Sequence, residues 1–388
     1  MKRNVFISGI IIFFLMSSLS YSQSILYNFQ LVNKNFVDTI PIEFIHNKIF
    51  IPVKLNNRIY HFILDTGASC CALHNNSIAS QSDTIGEMGI VDVNNNVNST
   101  FIVSLPYWSI GNITIKKGSA ITLDEMPFSC LGIDGVIGAN ILKNLIVKID
   151  ILNKHVILTD KKDFFKAERV ENCSFKTYAD QRPFIQINPT KKIKEEVLFD
   201  TGNNIFYTMN FRSYEYIKKR TDINIIDKGY GTESIGAFGH ETDTLNYMLQ
   251  LNNFKVDKFT FKNVQAALSQ NSNSSIGADI LNYGSIILDY TNKKMTFSPY
   301  HSDFTVKDNH SPFSIVLDNG KIKVGLVWEK SNEYRMGLRN GFIIKQANNI
   351  MADDACRFLS EWENLKGNVT LVCLNTNGEK ITFKFYRK

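Results

Sequence analysis

The sequence predicts a mainly β protein: two similar β units in tandem, followed by a small α+β unit. Three observations carry this. The tripeptide Asp-Thr-Gly stands at Asp65-Thr66-Gly67 and again at Asp200-Thr201-Gly202, each time closing a strand-like apolar run, Phe62-Ile63-Leu64 and Val197-Leu198-Phe199. Downstream, Ile137-Gly138-Ala139-Asn140-Ile141-Leu142 aligns without a gap on Ile276-Gly277-Ala278-Asp279-Ile280-Leu281. The match runs on through Val147-Lys148-Ile149-Asp150 and Ile286-Ile287-Leu288-Asp289, then Asn153-Lys154 and Asn292-Lys293. After about residue 305 the short-strand pattern gives way to strands and one helix.

Taken in order, residues 1–22 read as an export signal. Lys2 and Arg3 precede an apolar run from Val5 to Met16, and Ser20 and Ser22 place small residues where a signal peptidase reads. Cleavage is expected after Ser22, giving a periplasmic or secreted protein with no stable membrane span. Residues 25–300 then read as short β-branched or aromatic strands split by Asn and Gly. Ile49 to Leu55, Ile59 to Leu64, Phe101 to Leu105 and Asn112 to Lys116 are examples. Lys48-Ile49-Phe50-Ile51-Pro52-Val53 has a looser counterpart in Arg182-Pro183-Phe184-Ile185-Gln186-Ile187.

Two segments sit between an Asp-Thr-Gly loop and the matching Ile-Gly-Ala element. One turns at Asn94-Asn95-Asn96; the other is glycine-rich, from Gly229 to Gly239. Each is placed where a flexible hairpin would cover a peptide cleft, and an ordinary surface hairpin is the equal alternative. In the last unit, Phe313 to Leu317 and Ile322 to Trp328 are expected to pair around Asp318-Asn319-Gly320. Ala355, Phe358, Leu359, Trp362 and Leu365 share one helical face, and Val369 to Leu374 pairs with Ile381 to Tyr386.

The two carboxylates define the expected chemistry. Asp65 and Asp200, brought face to face by two similar units, cannot both ionise cheaply and so share one proton. One member can take a proton from a water while the other polarises a carbonyl. Gly67 and Gly202 let the backbone approach the carboxylates closely. Thr66 and Thr201 place hydroxyls where each can bond the opposite loop.

On these loops and the Ile-Gly-Ala elements, residues near 40–300 resemble the bilobal aspartic peptidases, closest to the retropepsin-like branch. The resemblance implies a bilobal acid-protease fold of the double ψ-type β-barrel kind, with lobes at 23–165 and 166–305. It implies catalytic roles for Asp65 and Asp200 and a cross-lobe grip by Thr66 and Thr201. It implies that Ser69, four residues after Asp65, holds the outer carboxylate oxygen. The second loop has Asn204 there, whose amide could make the same bond. No Tyr or Trp lies between Cys70 and Pro106. The aromatic flap residue of pepsin-like enzymes is thus missing. Ala68 and Asn203 stand where many acid-stable relatives carry Ser or Thr, which favours higher pKa values and activity toward neutral pH.

Residues 308–388 resemble a PDZ domain. Met336-Gly337-Leu338-Arg339-Asn340-Gly341-Phe342-Ile343-Ile344 matches that family's Ala-Gly-Leu-x-x-Gly-Asp-x-Ile turn, with Phe342 in place of Asp. The carboxylate-binding loop is expected near Ser311-Pro312-Phe313-Ser314, which lacks the usual glycines. The resemblance implies a peptide ligand alongside Phe313 to Leu317, or a unit that only packs on the peptidase. The short linker predicts docking beside the second lobe.

The net charge of +6 is spread along the 388 residues without a basic stripe, so nucleic acid is not expected as a partner. The six Cys and seven His fit no metal motif, and no metal or cofactor is expected. Export permits disulfides; pairing stays open, although Cys356 and Cys373 share the last unit and could meet. Two functions follow: an exported aspartic endopeptidase acting on peptide or protein substrates, or a non-catalytic peptide-binding adaptor on the same scaffold.

Overall fold

A computed structural model describes residues 25–387, apart from 75, 93–95, 124–127, 169–171, 234, 237–238 and 309. The expected signal segment and most of the Asn94-Asn95-Asn96 turn lie outside the described residues. The chain is mainly β. Among the described residues no helix is long and apolar enough to cross a membrane.

The sequence repeat is a backbone repeat. In the first copy, Lys48–Leu55 and Arg58–Leu64 form a hairpin, and Gly135–Ile137 lies parallel to Phe62, Ile63 and Leu64. In the second, Pro183–Thr190 and Ile193–Asp200 form the hairpin, and Ser275–Gly277 lies parallel to Leu198, Phe199 and Asp200. Both apolar runs are buried on both faces, which explains why they read as continuous hydrophobic stretches rather than alternating ones.

The copies join along one strand pair, Ile146–Asp150 antiparallel to Gly284–Asp289. Lys148 faces Ile287 there, and these two residues stand in the same repeat relation as Ile137 and Ile276. His155–Thr159 and Val37–Pro41 extend this sheet on one side, Lys294–Pro299 and Cys173–Thr177 on the other. The repeated Asp-x-x-Asn-Lys also has a physical reason. Asp150 accepts from the backbone and side chain of Asn153, and Asp289 from those of Asn292. Each pair closes a turn whose Lys, Lys154 or Lys293, takes positive φ.

The last unit has its own core around Ile322, Val324, Phe358, Trp362 and Leu371. Strands Phe313–Asp318 and Lys321–Trp328 meet at Asn319 and Gly320, both with positive φ. Helix Ala355–Asn364 is capped by the Asp354 side chain, which accepts from Arg357 N–H at 3.0 Å, and it buries Phe358, Leu359 and Trp362.

The last unit docks beside the second copy, as its short linker predicts, and the glycine-rich segment is the surface it docks on. The glycine-rich segment is not simply a mobile cover. Strand Asn224–Gly231 pairs with Thr244–Leu251 as a hairpin, and its outer edge also pairs with the last unit, Gly229 opposite Trp328 and Tyr230 opposite Val327. A Cβ on Gly229 would lie 2.6 Å from the Val327 oxygen, and one on Gly231 only 2.0 Å from the Gly325 oxygen. The glycines therefore admit a neighbouring strand.

The first copy is also held, by a disulfide between Cys130 and Cys356. Cys373 is a buried thiol inside the last unit, so Cys356 does not meet it. Cys373 lies on the core-facing side of strand Gly367–Leu374, whereas Cys356, at the start of the helix, meets the short 3-10 turn Ser129–Leu131.

Candidate active site

Strands Arg58–Leu64 and Ile193–Asp200 each deliver an Asp-Thr-Gly loop to one place. A Cβ on Gly67 would lie 2.3 Å from the Asp200 carboxyl carbon, and one on Gly202 would lie 2.3 Å from Oδ2 of Asp65. Glycine is thus required by close approach of the opposite carboxyl group. Each carboxylate is also aimed by its own loop. Oδ1 of Asp65 accepts from Gly67 N–H at 2.8 Å and Ala68 N–H at 3.0 Å. Oδ1 of Asp200 accepts from Gly202 N–H at 2.9 Å and Asn203 N–H at 3.2 Å.

The two Thr tie the loops together in a symmetric exchange. Thr66 Oγ1 donates to the Phe199 carbonyl at 2.6 Å and accepts from Thr201 N–H at 3.1 Å. Thr201 Oγ1 donates to the Leu64 carbonyl at 2.6 Å and accepts from Thr66 N–H at 3.0 Å. Both side chains are fully buried. Thr66→Val would leave the Phe199 carbonyl and Thr201 N–H unpaired, each at a cost of about 1–3 kcal/mol. Denaturant unfolding is expected to show a drop of that order for Thr66→Val and a much smaller one for Thr66→Ser.

The Ile-Gly-Ala elements support both loops from below. Ala139 N–H donates to the Ala68 carbonyl at 2.8 Å, and Ala278 N–H to the Asn203 carbonyl at 2.7 Å. Their one difference, Asn140 against Asp279, follows from what each meets. Asn140 Nδ2 donates to the Leu26 carbonyl at 2.8 Å, which a carboxylate could not do. Asp279 Oδ1 accepts from Asn47 Nδ2 at 2.9 Å, a bond between the copies.

Ser69 and Asn204 sit beside the pair and bond through their main chains, and the Ser69 side chain is turned toward Tyr27 and Cys70. The Ser69 carbonyl accepts from Asn140 N–H at 3.1 Å, and the Asn204 carbonyl accepts from Asn47 Nδ2 at 2.8 Å. Among the described residues neither side chain bonds a carboxylate oxygen. Asn203 is the more active residue of the second loop. Its amide donates to Thr208 Oγ1 at 2.9 Å and Ser275 Oγ at 3.0 Å, and its oxygen accepts from Ile205 N–H at 3.1 Å.

Burial, the neighbouring Asp65 charge and the hydrogen bond between the two carboxyl groups push Asp200 up to about 7. The proton belongs to the pair. Folded Asp200 holds it more tightly than an unfolded carboxyl group. Its contribution to stability is therefore complete below the ordinary value of 3.8 and is lost as pH rises through about 7.

Sequence reasoning missed two residues. Lys48 Nζ donates to the Gly202 carbonyl at 3.0 Å, and burial pushes its pKa down against the pull of Asp65, Asp200 and Glu363. Tyr27 places its hydroxyl 3.2 Å from both the Ser69 and Asp180 carbonyls, so the N-terminal segment joins the two copies at the site. The Lys48–Arg182 correspondence in the repeat was a usable signal for the first; nothing local marked the second.

The Asp pair, Gly67, Gly202, Asn203, Lys48 and Tyr27 line one cleft of about 1790 Å³. Met88 to Asp92 of the first hairpin, Glu241 near the second, and Ile315 and Trp362 of the last unit face it together with the Asp pair. Residues 51–141 match the aspartyl protease family model. The matched segment runs through Asp65-Thr66-Gly67 and the first Ile-Gly-Ala element; the second copy lies beyond it. No curated protein matches the chain. The aspartyl protease match points to peptidase activity on protein substrates.

Proposed function

We propose that the chain is an exported aspartic endopeptidase of bilobal, double ψ-type β-barrel architecture. The proposed organisation is a signal peptide at 1–22, lobes at 23–165 and 166–305, and a PDZ-like unit at 308–388. The observation that carries this reading is the mutual approach of the two loops, in which each glycine leaves the space that the other loop's carboxyl group fills. Support for export comes from the Cys130–Cys356 disulfide, which suits an oxidising compartment.

A water held between Asp65 and Asp200 is the nucleophile. The ionised carboxylate takes its proton as the oxygen attacks the scissile carbonyl carbon, and the protonated carboxyl donates a hydrogen bond to the carbonyl oxygen. The tetrahedral intermediate then collapses as a carboxyl group protonates the leaving amine. Thr66, Thr201, Gly67 and Gly202 keep the two carboxyl groups in register. An extended chain lies in the cleft, and the PDZ-like unit offers strand Phe313–Asp318 along its wall.

The test is purified mature protein incubated with an unfolded protein across acidic to neutral pH, with and without a hydroxyl-bearing transition-state mimic of aspartic peptidases. Cleavage that the mimic suppresses is expected. Peptide binding without cleavage at any pH would instead favour the adaptor function.

A further inference from the structure

We propose that the Cys130–Cys356 disulfide is a redox latch that fixes the last unit as a roof over the cleft and so limits which chains reach the Asp pair. Two anchors make the roof. On one side the disulfide joins the turn Ser129–Leu131 of the first copy to helix Ala355–Asn364. On the other, strand Lys321–Trp328 pairs with the outer edge of the second copy's hairpin. That seam is reinforced by Ser314 Oγ donating to the Thr232 carbonyl at 2.6 Å and Trp328 Nε1 donating to Glu233 Oε1 at 3.0 Å. Between these two anchors, Ile315, Trp362 and Glu363 of the roof face the same cleft as Asp65 and Asp200.

The anchors differ in kind. The strand seam is non-covalent and continuous with the second copy, so it stays closed under reducing conditions. The disulfide is the one covalent tie to the first copy among the described residues. Breaking it leaves the last unit hinged on the second copy, with its own core intact and only the non-covalent packing of Leu131 against that core on the first-copy side of this cluster. Cys356 is partly exposed, and Cys130 lines the cleft.

The exchange requires a small dithiol. Its thiolate attacks Sγ of Cys356, and Cys130 leaves as a thiolate. The second thiol of the reagent then attacks the mixed disulfide and releases Cys356. Two electrons pass to the protein, its two sulfurs end as thiols, and the reagent becomes a cyclic disulfide. Internal thiols do not compete: burial pushes Cys70 up to about 11 and Cys71 up to about 12, leaving both protonated near neutral pH.

The proposal rests on the peptidase reading only for its activity arm. The experiment compares full-length oxidised protein, the same protein reduced with dithiothreitol, and the Cys130→Ser/Cys356→Ser double variant. Hydrogen exchange is followed at residues 128–133 and 355–364, alongside cleavage of a short peptide and of an unfolded protein. Faster exchange in both segments is expected on reduction and in the double variant, with protection of Lys321–Trp328 retained. If the oxidised roof lifts about a tenth of the time, apparent affinity for the unfolded protein rises about tenfold on reduction, while the short peptide changes little. Unchanged exchange in the reduced protein overturns the latch, whether or not the double variant folds. Changed exchange with equal acceleration of both substrates overturns its role in substrate choice. Absence of any hydrolysis in all three samples counts against the peptidase reading, and the exchange data still decide the latch.

Discussion

Asp65→Asn and Asp200→Asn proteins each lose peptide hydrolysis by about a hundredfold or more while remaining folded, since an essential acid or base contributes at least that much. The expectation comes from the symmetry of the site. Each carboxylate is aimed by two N–H groups of its own loop and hydrogen-bonds its partner, so neither works alone. An amide keeps the size of the side chain but can neither share the proton nor take one from water. Steady-state rates on an unfolded protein, with circular dichroism as the control for folding, check this. Retention of more than about one percent of activity by Asp200→Asn would sink the dyad.

Gly67→Ala and Gly202→Ala produce the second large effect, by geometry rather than chemistry. The added methyl would stand 2.3 Å from the opposite carboxyl group, so that carboxyl group or its loop must shift. A displacement near 1 Å in a catalytic group costs on the order of a hundredfold in rate. Overpacking costs stability too, about 1–3 kcal/mol. Loss of kcat with a modest drop in Tm is expected for both variants. Wild-type kcat in either variant would mean that the two loops do not meet as described.

Much of this was legible in the chain because it is repeated. The Asp-Thr-Gly loops, the Ile-Gly-Ala elements and the Asp-x-x-Asn-Lys turns are local features, and local geometry dictates their residues. The helix Ala355–Asn364 was legible for the same reason, since its apolar face has helical spacing. What escaped depends on docking between distant segments. Cys130 and Cys356 are 226 positions apart, and no periodicity links them. Gly229 and Gly231 read as part of a flexible or ordinary surface hairpin, yet they make room for a strand some hundred residues away. The resemblance gives Ser69 and Asn204 bonds to the carboxylates, whereas the Ser69 side chain turns to Tyr27 and Cys70 and the Asn204 carbonyl bonds Asn47.

The dependence of kcat/KM on pH for an unfolded substrate tests the central claim most directly. A monoprotonated pair with Asp200 pushed up to about 7 predicts activity across mildly acidic pH that falls as pH rises through about 7. The Asn203 amide, turned toward Thr208 and Ser275 instead of the carboxylate, is consistent with that high value. An optimum below about pH 3, where a strongly depressed dyad would work, or a rate that keeps climbing above about pH 8, would contradict the account.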